Sequence, residues 1–351
     1  MVSFIASLIF LIGVISDFIN KSTSFTIILL SSSILSVITT KLGIPKLKKL
    51  KLKQIIRIEG PKKHYEKLGT PTMGGLLVVP IGLIIGNLIN LESPNYNKIV
   101  AISILIFSYM LIGFLDDWRS LVQKTNKGIS ARNKLILQSM TGILFLIWSY
   151  LEGWIDPTIY LYSSASITIG ILIWPLALFV FLAESNATNL TDGLDGLASG
   201  CAALVFSGLA LQLILRENNF DPAIANFCMA MAGIWLGFLT YNKNPAEVFM
   251  GDTGSLSIGA GLTGIALISN SLWALLIMGG VFIAESLSVI LQVSIFKLTR
   301  RIHGKGKRLF LMAPLHHHFE LKGAQERNIV KTFWIITIFL ICVGIFLRSR
   351  T

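Results

Sequence analysis

Charge is scarce in this chain, and negative charge scarcest. Its 351 residues include 18 Asp and Glu against 30 Lys and Arg, charged residues make up 14%, and hydrophobic residues reach 53%. With a mean hydropathy of +0.72, that balance excludes a water-soluble domain with a polar surface and indicates an integral membrane protein. Cysteine is nearly absent too. Cys201, Cys228 and Cys342 fall inside apolar segments without paired spacing, so neither a disulfide framework nor a zinc site is expected. No small-residue cleavage site follows the apolar stretch from Val2 to Ile19, which argues against a removed signal peptide. That shorter stretch, with Asp17 near its end, reads as an extra span, an interfacial helix or a signal-like segment.

Long apolar runs are abundant. A helix needs ~20 mostly apolar residues to cross ~30 Å of hydrocarbon, and such segments lie at about 24–42, 72–91, 99–116, 133–151, 167–183, 197–215, 223–241, 254–270, 272–296 and 331–348. The expected fold is an all-α polytopic membrane protein with about ten transmembrane helices plus the apolar N-terminal segment. It divides into residues 1–23 and a single transmembrane domain, 24–351.

Positive charge sets the orientation. Lys46, Lys48, Lys49, Lys51, Lys53, Arg57, Lys62, Lys63 and Lys67 crowd the loop from Gly43 to Pro71, and Lys297, Arg300, Arg301, Lys305, Lys307 and Arg308 the loop before the last span. Both loops are expected in the cytoplasm. The loop 152–166 on the other side has no Lys or Arg. The net charge of +12 is thus a sorting signal with some attraction to anionic membrane lipid, and no nucleic-acid partner is expected. Lys67, Lys124 and Lys134 lie near acidic residues, where a cation can neutralise substrate phosphate.

The few acids gather at this cytoplasmic side. Asp116 and Asp117 follow the third span directly, where a helix C-terminus disfavours carboxylate by ~0.3–1 kcal/mol. Either something compensates, or the pair is a solvated helix end anchored by Trp118 and Arg119. Asn186, Asn189, Asp192 and Asp195 recur every third residue, which in a helix or 3₁₀ turn aligns them along one narrow stripe. Gly193 and Gly196 would let ligand atoms approach closely. Capping explains one of the four, and a calcium loop would need a closing Glu that is missing. Asp252, in Phe-Met-Gly-Asp-Thr-Gly-Ser before the eighth span, suits Mg²⁺ with phosphate at a helix N-terminus and is also compatible with capping that helix. His316, His317 and His318 are consecutive and cannot all face one ion on a helix. Phosphate or sugar contacts are therefore expected in place of a zinc centre.

Six stretches occur in order: Lys67-Leu-Gly-Thr-Pro-Thr-Met-Gly-Gly75, Gly113-Phe-Leu-Asp-Asp117, Asn186 to Gly196, Asn242 to Ser255, Ala284-Glu-Ser-Leu-Ser-Val-Ile-Leu-Gln-Val293, and Ala313 to Glu320. Together they resemble the phospho-N-acetylmuramoyl-pentapeptide transferase family, within the polyprenyl-phosphate N-acetylhexosamine-1-phosphate transferases. The resemblance implies Mg²⁺-dependent transfer of phospho-MurNAc-pentapeptide from UDP-MurNAc-pentapeptide to undecaprenyl phosphate, giving lipid I and UMP for peptidoglycan synthesis. It also implies a homodimer in the bacterial plasma membrane, both termini extracytoplasmic, with a cytoplasm-facing active site and a groove for the lipid. By the same resemblance Asp252 would bind Mg²⁺ with Asp117, and Asp117 and Asp116 would activate the lipid phosphate. Asp192, Asp195, Asn242, Phe249 and Gln292 would line the nucleoside-diphosphate site, His316 and His317 would contact substrate, and Lys67, Lys124 and Lys134 would supply positive charge. The sequence departs from the family at Ala324, where a Trp is common, and Val2 to Ile19 has no firm counterpart.

Two mechanisms compete: direct in-line attack by the lipid phosphate, and a covalent phospho-aspartyl intermediate. A phosphate monoester has a second pKa near ~6, so it is mostly dianionic at neutral pH and gains little from a base. Direct attack is expected, with Asp117 orienting the lipid phosphate and removing residual protons. The rivals are a sister transferase moving GlcNAc-1-phosphate and a transporter. A transporter would place its acids near span centres, where Glu285 is the main example here.

Overall fold

A computed structural model describes residues 2–20, 24–49, 69–123, 128–161, 165–216 and 221–347. In chain order the helices are α1 (Val2–Ile19), α2 (Phe25–Lys49), α3 (Gly75–Ile89), α4 (Tyr96–Val122), α5 (Ala131–Leu151), α6 (Ile173–Thr191), α7 (Leu197–Ile214), α8 (Pro222–Asn242), α9 (Asp252–Ile268), α10 (Leu272–Met278), α11 (Gly280–His303), α12 (Leu315–Leu321) and α13 (Glu326–Phe346). Among the described residues nine helices, α1 included, are long and apolar enough to cross a membrane, with α3 and α9 shorter apolar helices. At 1.5 Å per residue those two span roughly 22 and 25 Å. The chain is a polytopic all-α membrane protein.

Small residues decide which helices reach the centre. α7, rich in Ala, Gly and Ser, is buried throughout, α9, of like composition, from its second residue on, and α8 nearly so. In lipid, helix association depends on close packing more than on apolarity. Gly233 and Gly237 of α8 lie against the backbone of α2, and Gly259 of α9 against that of α6 at Glu184 and Ser185. The outer helices α1, α5 and α11 carry large exposed apolar side chains such as Phe4, Leu144 and Ile290.

Several boundaries differ from the sequence expectation. α2 continues through Pro45 to Lys49 because Gly43, Ile44 and Leu47 are buried, with Gly43 fitting closely against Leu77 of α3. The expected ninth span is two helices, α10 and α11, meeting at Gly279. Residues 167–172 are not part of α6. They hold strand β2 (Ser166–Thr168), antiparallel to β1 (Thr158–Tyr160), and a short 3₁₀ turn. In this hairpin the hydrogen bonds from Tyr160 Oη (2.7 Å) and Thr158 N–H (2.8 Å) reach Asp156. Burial nudges that carboxyl up, but these bonds outweigh it and leave it below its ordinary range.

α1 is fastened to α2 by one carboxylate. Asp17 accepts from Phe25 N–H (2.5 Å) and Thr26 N–H (3.2 Å), in the first turn of α2, and α1 also packs on α7 and α8. Asp17→Ala is expected to lower stability by about 0.5–2 kcal/mol, as for a lost helix cap, and Asp17→Asn by less. Thermal unfolding in detergent checks this, and an unchanged Asp17→Ala melting temperature contradicts it.

Candidate active site

α4 does not stop at its aspartate pair. It runs on to Val122, so Asp116 and Asp117 stand inside its last turns, and the expected opposition to the α4 dipole is replaced by contact with the positive end of another helix. Asp117 Oδ1 accepts from Asp252 N–H (3.2 Å), and Oδ2 accepts from Thr253 N–H (3.1 Å) and Thr253 Oγ1 (2.6 Å). The first N–H groups of a helix have no partner within it, so Asp117 caps α9 from α4. Two glycines allow the approach. A Cβ on Gly113 would overlap the Asp252 carbonyl, and one on Gly251, whose φ is +72°, would crowd Asp117 and Thr72.

Held in this way, Asp252 meets α5 and α6. Its Oδ1 accepts from Asn189 Nδ2 (2.7 Å), and its Oδ2 pairs with Lys134 Nζ. Lys134 also lies 3.9 Å from Asp116 Oδ1, which accepts from Ile129 N–H (3.1 Å). Asn189 Nδ2 reaches Ser255 Oγ (2.9 Å), and Thr188 Oγ1 donates to the Ser255 carbonyl (2.8 Å). One helical turn beyond Lys134, buried Gln138 accepts from Asn186 Nδ2 (3.0 Å). Sequence reasoning passed over Gln138 and Thr253. The spacing of Gln138 from Lys134, which puts both on one face of α5, was the available signal.

The three-residue spacing holds for Asn186 and Asn189 on α6 and breaks at Asp192, where the helix ends. Asp192 remains partly exposed, yet burial pushes its carboxyl well above the usual range, and the charges of Asp252, Asp117 and Asp195 add to the rise. Asp195 serves the scaffold through its Oδ2, which accepts from Asn244 Nδ2 (3.1 Å) and Ala246 N–H (3.0 Å), while its own N–H donates to Glu326 Oε1 (2.8 Å). Asn242 is likewise buried and satisfied, accepting from Ser199 Oγ (2.7 Å) and donating to the Val248 carbonyl (3.0 Å). Phe249 is partly exposed, and its backbone pairs with Pro71 and Gly74.

Gln292 ties α11 to the following loop by accepting from Leu309 and Phe310 N–H (2.9 Å each). The three histidines lie on α12 and point to different partners. His318 Nδ1 accepts from Leu311 N–H (3.1 Å), and His317 Nδ1 lies 2.7 Å from Glu320 Oε2. His316 is 0% exposed, so the substrate contact expected of it is not open at the surface. Lys67 and Lys124 lie outside the described residues.

Among the described residues no group of three or more His, Cys, Asp and Glu side chains is arranged to hold a metal. Mg²⁺ requires less, usually one or two carboxylates with waters and phosphate oxygens. Asp252 and Asp117 offer hard oxygen donors of that kind. Asp252 repels Asp116, Asp117 and Asp192, and Asp117 repels Asp192, with the Lys134 ammonium contacting Asp116 and Asp252. A divalent cation fits that surplus of negative charge.

Because its pKa is raised in the folded protein, Asp192 opposes folding at neutral pH, and the penalty shrinks as pH falls below its folded pKa and is gone below its unfolded one. Asp192→Asn is therefore expected to raise the melting temperature in magnesium-free buffer near neutral pH, by roughly 1–2 °C per kcal/mol relieved in a chain of this length. The gain should shrink as the buffer is acidified. A gain that grew on acidification would reverse the assigned sign.

Residues 99–270 match the family described as Glycosyl transferase family 4. The chain is 55% identical over 346 residues to a phospho-N-acetylmuramoyl-pentapeptide-transferase of Prochlorococcus marinus (strain MIT 9313), covering 99% of this chain and 93% of the relative. A Synechococcus sp. (strain CC9311) protein of the same name is 56% identical over 322 residues, covering 92% of this chain and 87% of its own. The 99% coverage means that α1, for which no counterpart was expected, has one in the Prochlorococcus protein. With residues from α4, α5, α6 and α9 converging around Asp252 and identity running the length of both chains, the chain belongs to the phospho-N-acetylmuramoyl-pentapeptide-transferase family.

Proposed function

We propose that this chain transfers phospho-MurNAc-pentapeptide from UDP-MurNAc-pentapeptide to undecaprenyl phosphate, forming lipid I and releasing UMP, at a Mg²⁺-dependent site facing the cytoplasm. The observation that carries the reading is the Asp117 cap on α9, which holds Asp252 against Lys134 and Asn189 at one end of the helix bundle. The basic last turns of α2 and α11, with Lys46, Lys48, Lys49, Arg300 and Arg301, support the cytoplasmic side. Exposed Leu287, Leu291, Leu298 and Ile302 on α11 support a polyprenyl chain lying along that helix. The proposal includes a homodimer and a single transmembrane domain over 24–351.

Bringing a phosphate monoester to a diphosphate opposes unit charges by ~4 kcal/mol per pair at ~4 Å and an effective dielectric of ~20. Lys134, with Lys67 and Lys124, offsets this repulsion. Mg²⁺ held by Asp252 and Asp117 would neutralise the phosphate oxygens and clamp the diphosphate. A lipid phosphate oxygen attacks the sugar-linked phosphorus, the bond to the nucleotide phosphate breaks, and UMP leaves. Asp116 and Lys134 orient the acceptor, while Asn186, Asn189 and Asp192 line the approach from α6. Asp117 accepts one hydrogen bond at Oδ1 and two at Oδ2 from the first turn of α9, which leaves Oδ1 a lone pair for the cation and favours a holding role over the proton-removing one expected of it. Asp117 serves this reaction by holding Asp252 in place.

Purified protein should release UMP from UDP-MurNAc-pentapeptide only with undecaprenyl phosphate present, lose this activity with EDTA, and leave UDP-GlcNAc intact. Asp252→Asn should lose on the order of 10²-fold or more in rate. Turnover of UDP-GlcNAc in place of the muramoyl nucleotide would favour the sister transferase.

Asp117→Asn should lose the same factor at about pH 6.5 and about pH 9, on either side of the range in which the monoester becomes dianionic. Marked recovery at the higher pH would restore a proton-handling role.

A further inference from the structure

Glu285 is a buried acidic side chain that the reaction leaves unused. It lies in the membrane-spanning part of α11, is 0% exposed, and among the described residues neither carboxylate oxygen has an aligned hydrogen-bond partner. A carboxylate left in that setting is destabilising unless a charged or donating group faces it. His316 faces it. Its Nδ1 is 3.2 Å from Glu285 Oε2, the separation of an ion pair although not aligned as a hydrogen bond. His316 is also fully buried, and its Nε2 presses on Gly193, where any Cβ would overlap the ring. Gly193 follows Asp192, and the next ring along α12, His317, lies 4.2 Å from His316 centroid to centroid and is partly exposed.

We infer that Glu285 and His316 form a buried positioning pair, in which the Glu285 carboxylate faces Nδ1–H of His316 and sets the ring so that Nε2 braces the Asp192–Gly193 turn. The nitrogen that carries the proton is chosen by the partner of the ring, and here that partner is on α11. One side of the brace fixes Asp192 at the mouth of the site and the other fixes His317. The inference rests on the Asp192 turn being part of the substrate site, as proposed above. It makes His316 a residue that acts through its neighbours.

The test uses the full-length protein with ¹⁵N-labelled histidine. Five histidines are present, and His316→Asn identifies the His316 signals. A protonated Nδ1 is expected in wild type and in Glu285→Gln, whose side-chain carbonyl still accepts, and is expected to be lost in Glu285→Leu. In UMP-release assays Glu285→Leu should lower kcat by about 10-fold or more with little change in KM. Glu285→Gln should recover most of the rate, and Glu285→Leu with His316→Asn should be no slower than His316→Asn alone. Removing one partner of a buried pair can destabilise the fold, so the rate loss in Glu285→Leu is read as positioning where its melting temperature is retained, and where that temperature falls the wild-type nitrogen signals and the Glu285→Gln rate decide. The pair is overturned by an Nε2-protonated His316 in wild type, by wild-type kcat in Glu285→Leu, or by losses that multiply in the double variant. If His316→Asn released UMP at the wild-type rate, the site reading would fail, and the nitrogen signals would still decide whether the pair exists.

Discussion

The contact on which the polar end of this molecule depends is a carboxylate of one membrane helix capping the N-terminus of another. α9 is buried from Thr253 to Ile268, so its first N–H groups must find partners inside the protein. Asp117 supplies them from α4. Hydrogen bonds to a charged group are worth about 1.5–3 kcal/mol, and an unsatisfied donor in a water-poor site costs a comparable amount. The same contact aims Asp252 at α5 and α6. Gly113 and Gly251 are the sequence condition for it, since a side chain at either position would push the two helices apart.

Around that cap the site stores repulsion. The negative charge of Asp252 bears on Asp116, and the charges of Asp252 and Asp117 bear on Asp192, while Lys134 contacts Asp116 and Asp252. Such crowding weakens the resting fold and favours binding of whatever brings positive charge, a common exchange of stability for activity. The surrounding scaffold resists the strain with neutral or well-paired contacts. Asn242 and Ser199 lock α8 to α7, Asp195 holds the segment at Asn244 and Ala246, and Gln292 secures the loop leading to α12.

The sequence revealed the membrane class and most of the spans because hydropathy is a local property. It also brought out the aspartates, since adjacent acids at the end of an apolar run are conspicuous in a chain with so few. Helix ends were less legible. α4 outlasts its apolar run because Asp117 is compensated by a helix distant in sequence, and α2 outlasts its own because Gly43 fits against Leu77. The break at Gly279 was hidden because apolar residues continue across it. Roles were hardest to read. Asp192 and Asp195 look alike in spacing, yet one sits among charges and the other ties down a loop, a difference made by residues such as Asn244 and Glu326. His316 was expected to contact substrate, and the structure places it fully buried beside Glu285 of another helix.

Locating the cation tests this account most directly. Mn²⁺ shares the oxygen-rich octahedral preference of Mg²⁺ and can be placed by its anomalous scattering in crystals of the protein with a uridine nucleotide. The account predicts one strong peak about 2.0–2.3 Å from an Asp252 carboxylate oxygen, beside Asp117 and within reach of the diphosphate. A peak next to Asp195 or the α12 histidines, with none at Asp252, would contradict it.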